Sequence, residues 1–396
     1  MKAIVLAAGE GARMGPFTAS EPKVMIRVGN RPILEHVVRA LAAEGIVDLV
    51  LVAGYRRERI MSYFQDGKAF GVKIEYIVQN KQLGTAHALL EASPKLGSPF
   101  VVLNGSNLLD RQAISDLIAG EASPAVLIAE SDQPEKYGVV LLADDRITRI
   151  VEKPRQPVGN LINTGAYLLD ASILPVIERL VAAGRHDLPS AIENLSESQP
   201  VRAVRTKGVW SDALYPWDLL KLNGEVLKSV HEQKAGTIEK GVTIRGKVSI
   251  GEETVLRSGT YIQGPVAIGE GCEIGPHAVI LAATSLGNNV HVGPFSLVDN
   301  SILMDDVDVG AGCTLQDTVA GMGAKLRAAV IAARGRASAQ IEGEWHEVES
   351  VGGLIGEDAE LGSGTVVESG TIVGARARIG ANARLRGTIP NGGIVV

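Results

Sequence analysis

The stretch that decides most of the fold is VTIRGKVSIGEETVLRSGTYIQGPVAIGEGCEIGPHAVI, residues 242–280. An aliphatic residue returns at every sixth position: Ile244, Ile250, Leu256, Ile262, Ile268, Ile274 and Ile280. Glycine follows several of them, as in Ile250-Gly251, Ile268-Gly269 and Ile274-Gly275. A hexapeptide period of this kind is the signature of a parallel β-helix. Each short strand points one aliphatic side chain into a prism-shaped core, and three strands make one coil.

Outward from this stretch the period runs back to Ile238 and forward through Leu286, Val292 and Val298. It slips near Asn300, returns at Leu303, Val309 and Leu315, and resumes from Ile355 to Leu385. Between the runs, AQIEGEWHEVES (339–350) breaks the period and is expected to form a protruding hairpin. A core of stacked Ile, Leu and Val needs few aromatics, which accounts for an aromatic content of 4% beside 46 glycines in 396 residues.

The first half has a different pattern. Strand-like runs at residues 2–7, 48–53, 73–78 and 100–103 alternate with helix-like segments, which implies βαβ units and a mostly parallel sheet. Residues 125–210 are richer in strands, with an antiparallel addition expected around YGVVLLADDRITRIVEKP. Residues 216–234 read as one connecting helix with Leu219, Leu220, Leu222, Val226, Leu227 and Val230 on its apolar face. The expected division is 1–218, a connecting helix at 219–236, and a β-helix at 237–396.

A formal net charge of −6 argues against nucleic-acid binding, which needs a basic face. Two cysteines, Cys272 and Cys313, imply no disulfide framework, and a reducing cytoplasm fits. The first residues do not read as a secretory leader, because glycines and Arg13 interrupt the apolar run. No run of about 18 apolar residues suggests a membrane span.

LAAGEGARMGPFTASEPKVM, residues 6–25, follows the first strand directly. Gly9, Gly11 and Gly15 match neither the dinucleotide fingerprint nor a P-loop. This is a glycine-rich loop at a strand's carboxyl end that carries Arg13 and Lys23. Glycines let backbone N–H groups approach an anion, and the cations neutralise it.

The loop, QNKQLGTAHAL (79–89), YGVV (137–140), VEKP (151–154), NTGAYLLD (163–170) and WSDALYPWDLL (210–220) together resemble the sugar-1-phosphate nucleotidylyltransferases. With the repeats behind them, the likeness is to the archaeal-type bifunctional nucleotidylyltransferase/acetyltransferase proteins. It implies an α/β, Rossmann-like, GT-A-like domain followed by a left-handed β-helix like that of hexapeptide acyltransferases. The implied reaction joins a nucleotide from UTP or dTTP to a hexose 1-phosphate and releases pyrophosphate, with Mg²⁺ as cofactor. Homotrimers or higher homo-oligomers through the β-helix are implied as well.

Residue by residue, the resemblance assigns Arg13 to the triphosphate and Lys23 to the bridge between attacking and α-phosphates. Leu6, Ala7, Ala8, Gly9 and Gly11 would line the nucleotide site, and Gln79, Gly84 and Thr85 would read the base. Gly138, Glu152, Lys153 and Asn163 would face the sugar phosphate. Of the two metal-binding aspartates the family uses, one is present as Asp212. Ser106 stands at the other position, with Asn107 and Asp110 as nearby oxygen donors. Mg²⁺ prefers hard anionic oxygen, so a catalytically weak, nucleotide-sugar-binding homologue is the alternative reading. Acetyl transfer is not expected. Pro276-His277 lies early in the repeats, NSILMDDVDVGAGCTL (300–315) holds no histidine, and His291 and His346 read as surface residues.

Overall fold

The computed structural model describes residues 1–120 and 124–396 and divides them into two compact units. The first comprises residues 1–10, 22–25 and 33–212; the second comprises 11–21, 26–32 and 213–396.

The first unit is built on a nine-stranded sheet, in the order Lys73–Val78, Asp48–Ala53, Lys2–Ala7, Phe100–Asn104, Leu161–Leu169, Ala125–Glu130, Arg202–Arg205, Arg146–Glu152 and Gly138–Ala143. The first four strands are parallel, with Leu6 opposite both Val52 and Asn104. Apart from their ends, the inner three are buried on both faces, as a parallel sheet covered by helices requires, while the edge strand Lys73–Val78 is half-buried. Leu161–Leu169 runs antiparallel to Phe100–Asn104, and the hairpin of Gly138–Ala143 and Arg146–Glu152 forms the far edge. The expected antiparallel addition is therefore continuous with the parallel sheet.

From Lys2–Ala7 the chain adds strands in one direction, then returns to place Phe100–Asn104 on the other side. The order thus reverses between these two strands, and in such sheets ligands bind beyond the carboxyl ends at the reversal. Here those ends are Ala8-Gly9 and Gly105-Ser106, tied by the Gly105 N–H donating to the Leu6 carbonyl at 2.8 Å.

The second unit contains three parallel sheets of nine, nine and eight short strands, stacked as coils. Val255 pairs with Thr237 and Glu273, a spacing of 18 residues per coil. Around Asn300 the spacing falls to 17, as in Val292 with Val309 and Val298 with Leu315. One shortened corner accounts for the slip in the sequence period. The repeat also continues where the sequence hid it: Ala320, Leu326 and Ala332 occupy the next inward positions and are buried in the same core. The inserted hairpin, Gly335–Ile341 paired with Glu344–Val351, separates Ala320 from its ladder partner Ile355. Ile238 is exposed, because no further coil covers that end.

Two features depart from the expected division. The helix spans Asp218–Lys228 rather than 216–234. Its start is set by Asp218, whose carboxylate accepts the Leu214 and Tyr215 N–H groups at 2.9 and 2.8 Å. Its continuation is replaced by the ladder, since Lys234 already pairs with Ile250. In addition, residues 11–21 and 26–32 group with the β-helix unit. Arg27 pairs with Asp305 at 3.1 Å, the Asn223 carboxamide accepts the Gly29 N–H at 2.7 Å, and Pro16 lies tightly against Gly356.

Candidate functional site

The centre of the first unit's candidate site lies at the strand-order reversal. Asn107–Leu109 and Trp210–Asp212 form a short antiparallel ribbon in which Asn107 stands opposite Asp212. Two donors lock this ribbon to the sheet: Asn107 Nδ2 at 2.5 Å and Trp210 Nε1 at 2.9 Å both donate to the Thr164 carbonyl. The ribbon holds Asp212 beside the Gly105-Ser106 turn. Lys23, whose own N–H donates to the Glu10 carbonyl at 3.4 Å, extends Nζ to Asp212 Oδ1 at 3.0 Å. The side chains are only 15% and 11% exposed, so the pair is substantially shielded from water.

The possible metal donors can be sorted by what each oxygen already does. The Asp110 carboxylate accepts the Ala113 N–H at 2.9 Å and caps the helix Arg111–Ile118. Asn107 is buried, and its Oδ1 lies 3.4 Å from Ser106 Oγ, which donates to it. Neither therefore replaces the absent carboxylate at position 106. Among the described residues no three His, Cys, Asp or Glu side chains gather as a metal cage. Asp212, whose Oδ1 is paired with Lys23 and which stands opposite the residue that follows Ser106, makes a one-carboxylate donor set. That fits Mg²⁺, which is commonly held by one or two carboxylates and completed by substrate phosphates and water.

A second group lies at the far edge of the sheet. A Cβ on Gly138 would meet Glu152 Oε2 at 2.7 Å and the Asn163 Cβ at 3.9 Å, so these residues converge. Glu152 is exposed in part, yet partial burial of its carboxylate raises its pKa above the ordinary value, against the lowering influence of Lys153. Lys153 has φ +44, a left-handed conformation that is uncommon for a residue other than glycine. Asn163 is already committed: Nδ2 donates to the Tyr167 hydroxyl at 2.8 Å, and Oδ1 accepts the Gly165 N–H at 3.0 Å.

The expected base-reading residues prove to be tied to the scaffold. Gln79 is buried; its Nε2 donates to the Gly84 carbonyl at 3.1 Å and lies 2.8 Å from His87 Nδ1. Thr85 Oγ1 accepts the Leu188 N–H at 2.9 Å rather than capping its own helix. Gly84 has φ +152, and any Cβ there would stand 2.4 Å from the His186 carbonyl. Sequence reasoning passed over His87, although it lies inside the quoted QNKQLGTAHAL motif, and over His186 and Leu188, which are remote in sequence.

Arg13 and Gly11 belong to the second unit. Arg13 Nε donates to Glu342 Oε2 at 3.1 Å, at the turn of the inserted hairpin, with the side chains 40% and 53% exposed. On the same hairpin His346 packs against Tyr215 at 4.3 Å between ring centroids, and Tyr215 stacks on Trp217 at 5.0 Å. Partial burial raises the Tyr215 pKa, an effect Arg13 opposes. His346 was expected to be an idle surface residue, and Glu342 carried no signal. His277 stacks on Phe295 at 5.4 Å, and His291 Nδ1 lies 2.9 Å from Asp308 Oδ1.

The nucleotidyl transferase family model matches residues 2–229, more than half of the chain. The chain belongs to the nucleotidyl transferase family. Further matches cover the GMPPB C-terminal domain at residues 262–337 and six bacterial transferase hexapeptide repeats at 352–387. This nucleotidyl transferase is 37% identical to the bifunctional protein GlmU of Methanococcus maripaludis over 262 residues, or 65% of this chain and 62% of that one. It is 32% identical to the low-salt glycan biosynthesis nucleotidyltransferase Agl11 of Haloferax volcanii, over 64% of this chain and 73% of that one. Among solved structures, a putative glucose-1-phosphate thymidylyltransferase from Bacillus anthracis, crystallised with a sucrose, aligns with a TM-score of 0.54 and 28% identity. It covers 59% of this chain and 98% of that one. No helix among the described residues is long and apolar enough to cross a membrane.

Proposed function

We infer that this nucleotidyl transferase joins a nucleoside triphosphate, UTP or dTTP, to a hexose 1-phosphate and releases pyrophosphate. The observation that carries the reading is the shielded Lys23–Asp212 pair at the reversal of the strand order. An oxygen of the sugar phosphate attacks the α-phosphorus, and the bond to the pyrophosphate oxygen breaks. Two anions must meet, so a fixed cation between them lowers the barrier by offsetting their repulsion as charge builds on the α-phosphoryl group. Lys23 is that cation, held in place by Asp212. Asp212 and the Ser106 hydroxyl would hold Mg²⁺ together with substrate phosphate oxygens. Bound there, the ion screens phosphate charge and withdraws electron density from the α-phosphorus.

The backbone from Leu6 to Gly9 is assigned to the nucleotide, as is Gly11 on the loop that follows, and Arg13 is assigned to the triphosphate. Gln79, Gly84 and Thr85 shape the base pocket through the scaffold ties described above. Gly138, Glu152, Lys153 and Asn163 form the sugar-phosphate end: the Glu152 carboxylate accepts from sugar hydroxyls, and Lys153 meets the phosphate. The β-helix is proposed to assemble the protein as a homotrimer or higher homo-oligomer, with no acyl-transfer role.

Ser106 favours a second reading, a weak enzyme that mainly binds nucleotide sugar. Pyrophosphate release measured across four NTPs and several sugar 1-phosphates with Mg²⁺ separates the two. Turnover with a uracil or thymine nucleotide supports transfer; binding without turnover sinks it in favour of the second reading.

A further inference from the structure

The second unit contains a cleft of about 790 Å³, within the range of small-molecule sites, between the inserted hairpin and the last coils of the β-helix. Its lining is chemically unusual for a chain of net charge −6. Arg334 and Arg336 enter from the start of the hairpin, and Arg384 and Arg386 from the strand that follows Val366–Val367 in the same ladder. Arg384 and Arg386 are two residues apart across inward-facing Leu385, so they project to one face. The only carboxylate in the lining is Glu368. It is shared by Arg384 at 2.7 Å and Arg386 at 3.8 Å. Trp345, from the opposite hairpin strand, also lines the cleft and is 68% exposed.

Each arginine has an acidic neighbour: Arg334 is held by the shielded Asp299 and Asp317, whereas the other three stand in more exposed pairs. Arg384 and Arg386 are 74% and 88% exposed over a Glu368 that is 32% exposed, and the Arg336–Glu349 pair is 81% and 86% exposed. Exposed pairs of this kind contribute little and exchange readily for a stronger partner. A polyphosphate is that partner, because guanidinium groups bind phosphate oxygens two at a time. An exposed indole beside them offers a face on which a base stacks.

We propose that the cleft between the hairpin and the last coils binds a nucleotide, its polyphosphate on Arg336, Arg384 and Arg386 and its base on Trp345. None of the cleft's lining residues is assigned to transfer, and the cleft gives the β-helix unit a ligand of its own. The shared chemistry is base plus polyphosphate, whether carried by a nucleoside triphosphate or a nucleotide sugar.

Equilibrium dialysis of the full chain with labelled UTP, and in parallel with UDP-glucose, tests the site. Two equivalents per chain are expected, falling to one in Arg384→Ala/Arg386→Ala, with pyrophosphate release unchanged. Trp345→Phe is expected to weaken the same class of site roughly tenfold. A fall from one equivalent to none would support the cleft while removing the transfer-site reading, so the two ideas fail separately. An unchanged count in the double variant overturns the proposal. So does inorganic tripolyphosphate competing as well as UTP, which would leave the base without a role. Loss of self-association in the double variant without any change in bound nucleotide would instead assign the arginines to a second copy of this chain.

Discussion

Replacing Lys23 with methionine keeps the unbranched stem of the side chain and removes its charged end. The magnitude follows from the pair's geometry. At 3.0 Å, with an effective dielectric of about 20, the gross attraction between Lys23 and Asp212 is about 5.5 kcal/mol. Desolvation of two shielded groups cancels much of that, so the net coupling expected is about 1–3 kcal/mol. Lys23→Met alone should cost about 2–4 kcal/mol of stability, because it strands a carboxylate that is 11% exposed. Adding Asp212→Asn should restore part of that loss. Transfer should behave differently: Lys23→Met should lower turnover by about 100-fold or more, and the double variant should recover none of it. Urea denaturation of the four proteins of the cycle and pyrophosphate release from the same preparations make the comparison. A coupling energy near zero would mean that the pair is not formed in solution. Full turnover in Lys23→Met would refute the assignment of this lysine to the reacting phosphates.

Ser106→Asp should raise turnover and sharpen its dependence on Mg²⁺; unchanged kinetics across a Mg²⁺ titration would remove the absent carboxylate as a cause of slowness. Glu342→Ala should leave stability within about 0.5 kcal/mol, since the pair with Arg13 is exposed, while lowering the KM for the triphosphate a fewfold. An unaltered KM would show that Glu342 does not compete for Arg13. Gly84→Ala should cost about 2–4 kcal/mol in urea denaturation, because its Cβ would stand 2.4 Å from the His186 carbonyl at φ +152; a cost below about 0.5 kcal/mol would contradict that packing. Glu152 has a raised pKa in the folded chain, so the native state holds its proton more tightly than the unfolded chain does. Its contribution is fully present below the unfolded value of 4.5 and is lost as pH rises through the raised one. Glu152→Gln should therefore flatten the fall in stability above pH 4.5, read from denaturation midpoints between pH 4 and 7.

The β-helix was legible because one inward residue in six must be aliphatic, and Ile250 through Val298 obey that rule without interruption. It was least legible where the core uses alanine. Ala320 and Ala332 fill inward positions but carry no hydrophobic signal above their neighbours. The shortened coil explains why the reading lost register near Asn300 and regained it at Leu303. The alternation of strands and helices in the first half was readable for the same reason, since buried parallel strands are continuous apolar runs.

The candidate site was legible as motifs and opaque as contacts. The meeting of Lys23 with Asp212 rests on a ribbon that pairs residue 107 with residue 212, and no local pattern announces such a register. The tie of Thr85 to Leu188 spans 103 residues, and that of Arg13 to Glu342 spans 329. Asp110 looked like a metal donor in the sequence because a helix-capping aspartate and a ligand aspartate are the same residue type. Only the position of the Ala113 N–H tells them apart.

The grouping of residues 11–21 with the repeats bears on how this chain can be divided. Met14, Pro16 and Phe17 are buried, and Pro16 sits so close to Gly356 that a side chain there would clash. A fragment ending after the helix Asp218–Lys228 would keep every transfer motif in its sequence. It would nevertheless lack the coil surface on which Pro16 rests. Such a fragment should aggregate or lose its N-terminal loop to proteases, while a cut at the tip of the inserted hairpin would spare that surface. Residues 11–21 and the repeats therefore pack as one piece in this chain, and a truncation that parts them leaves Met14, Pro16 and Phe17 without their cover.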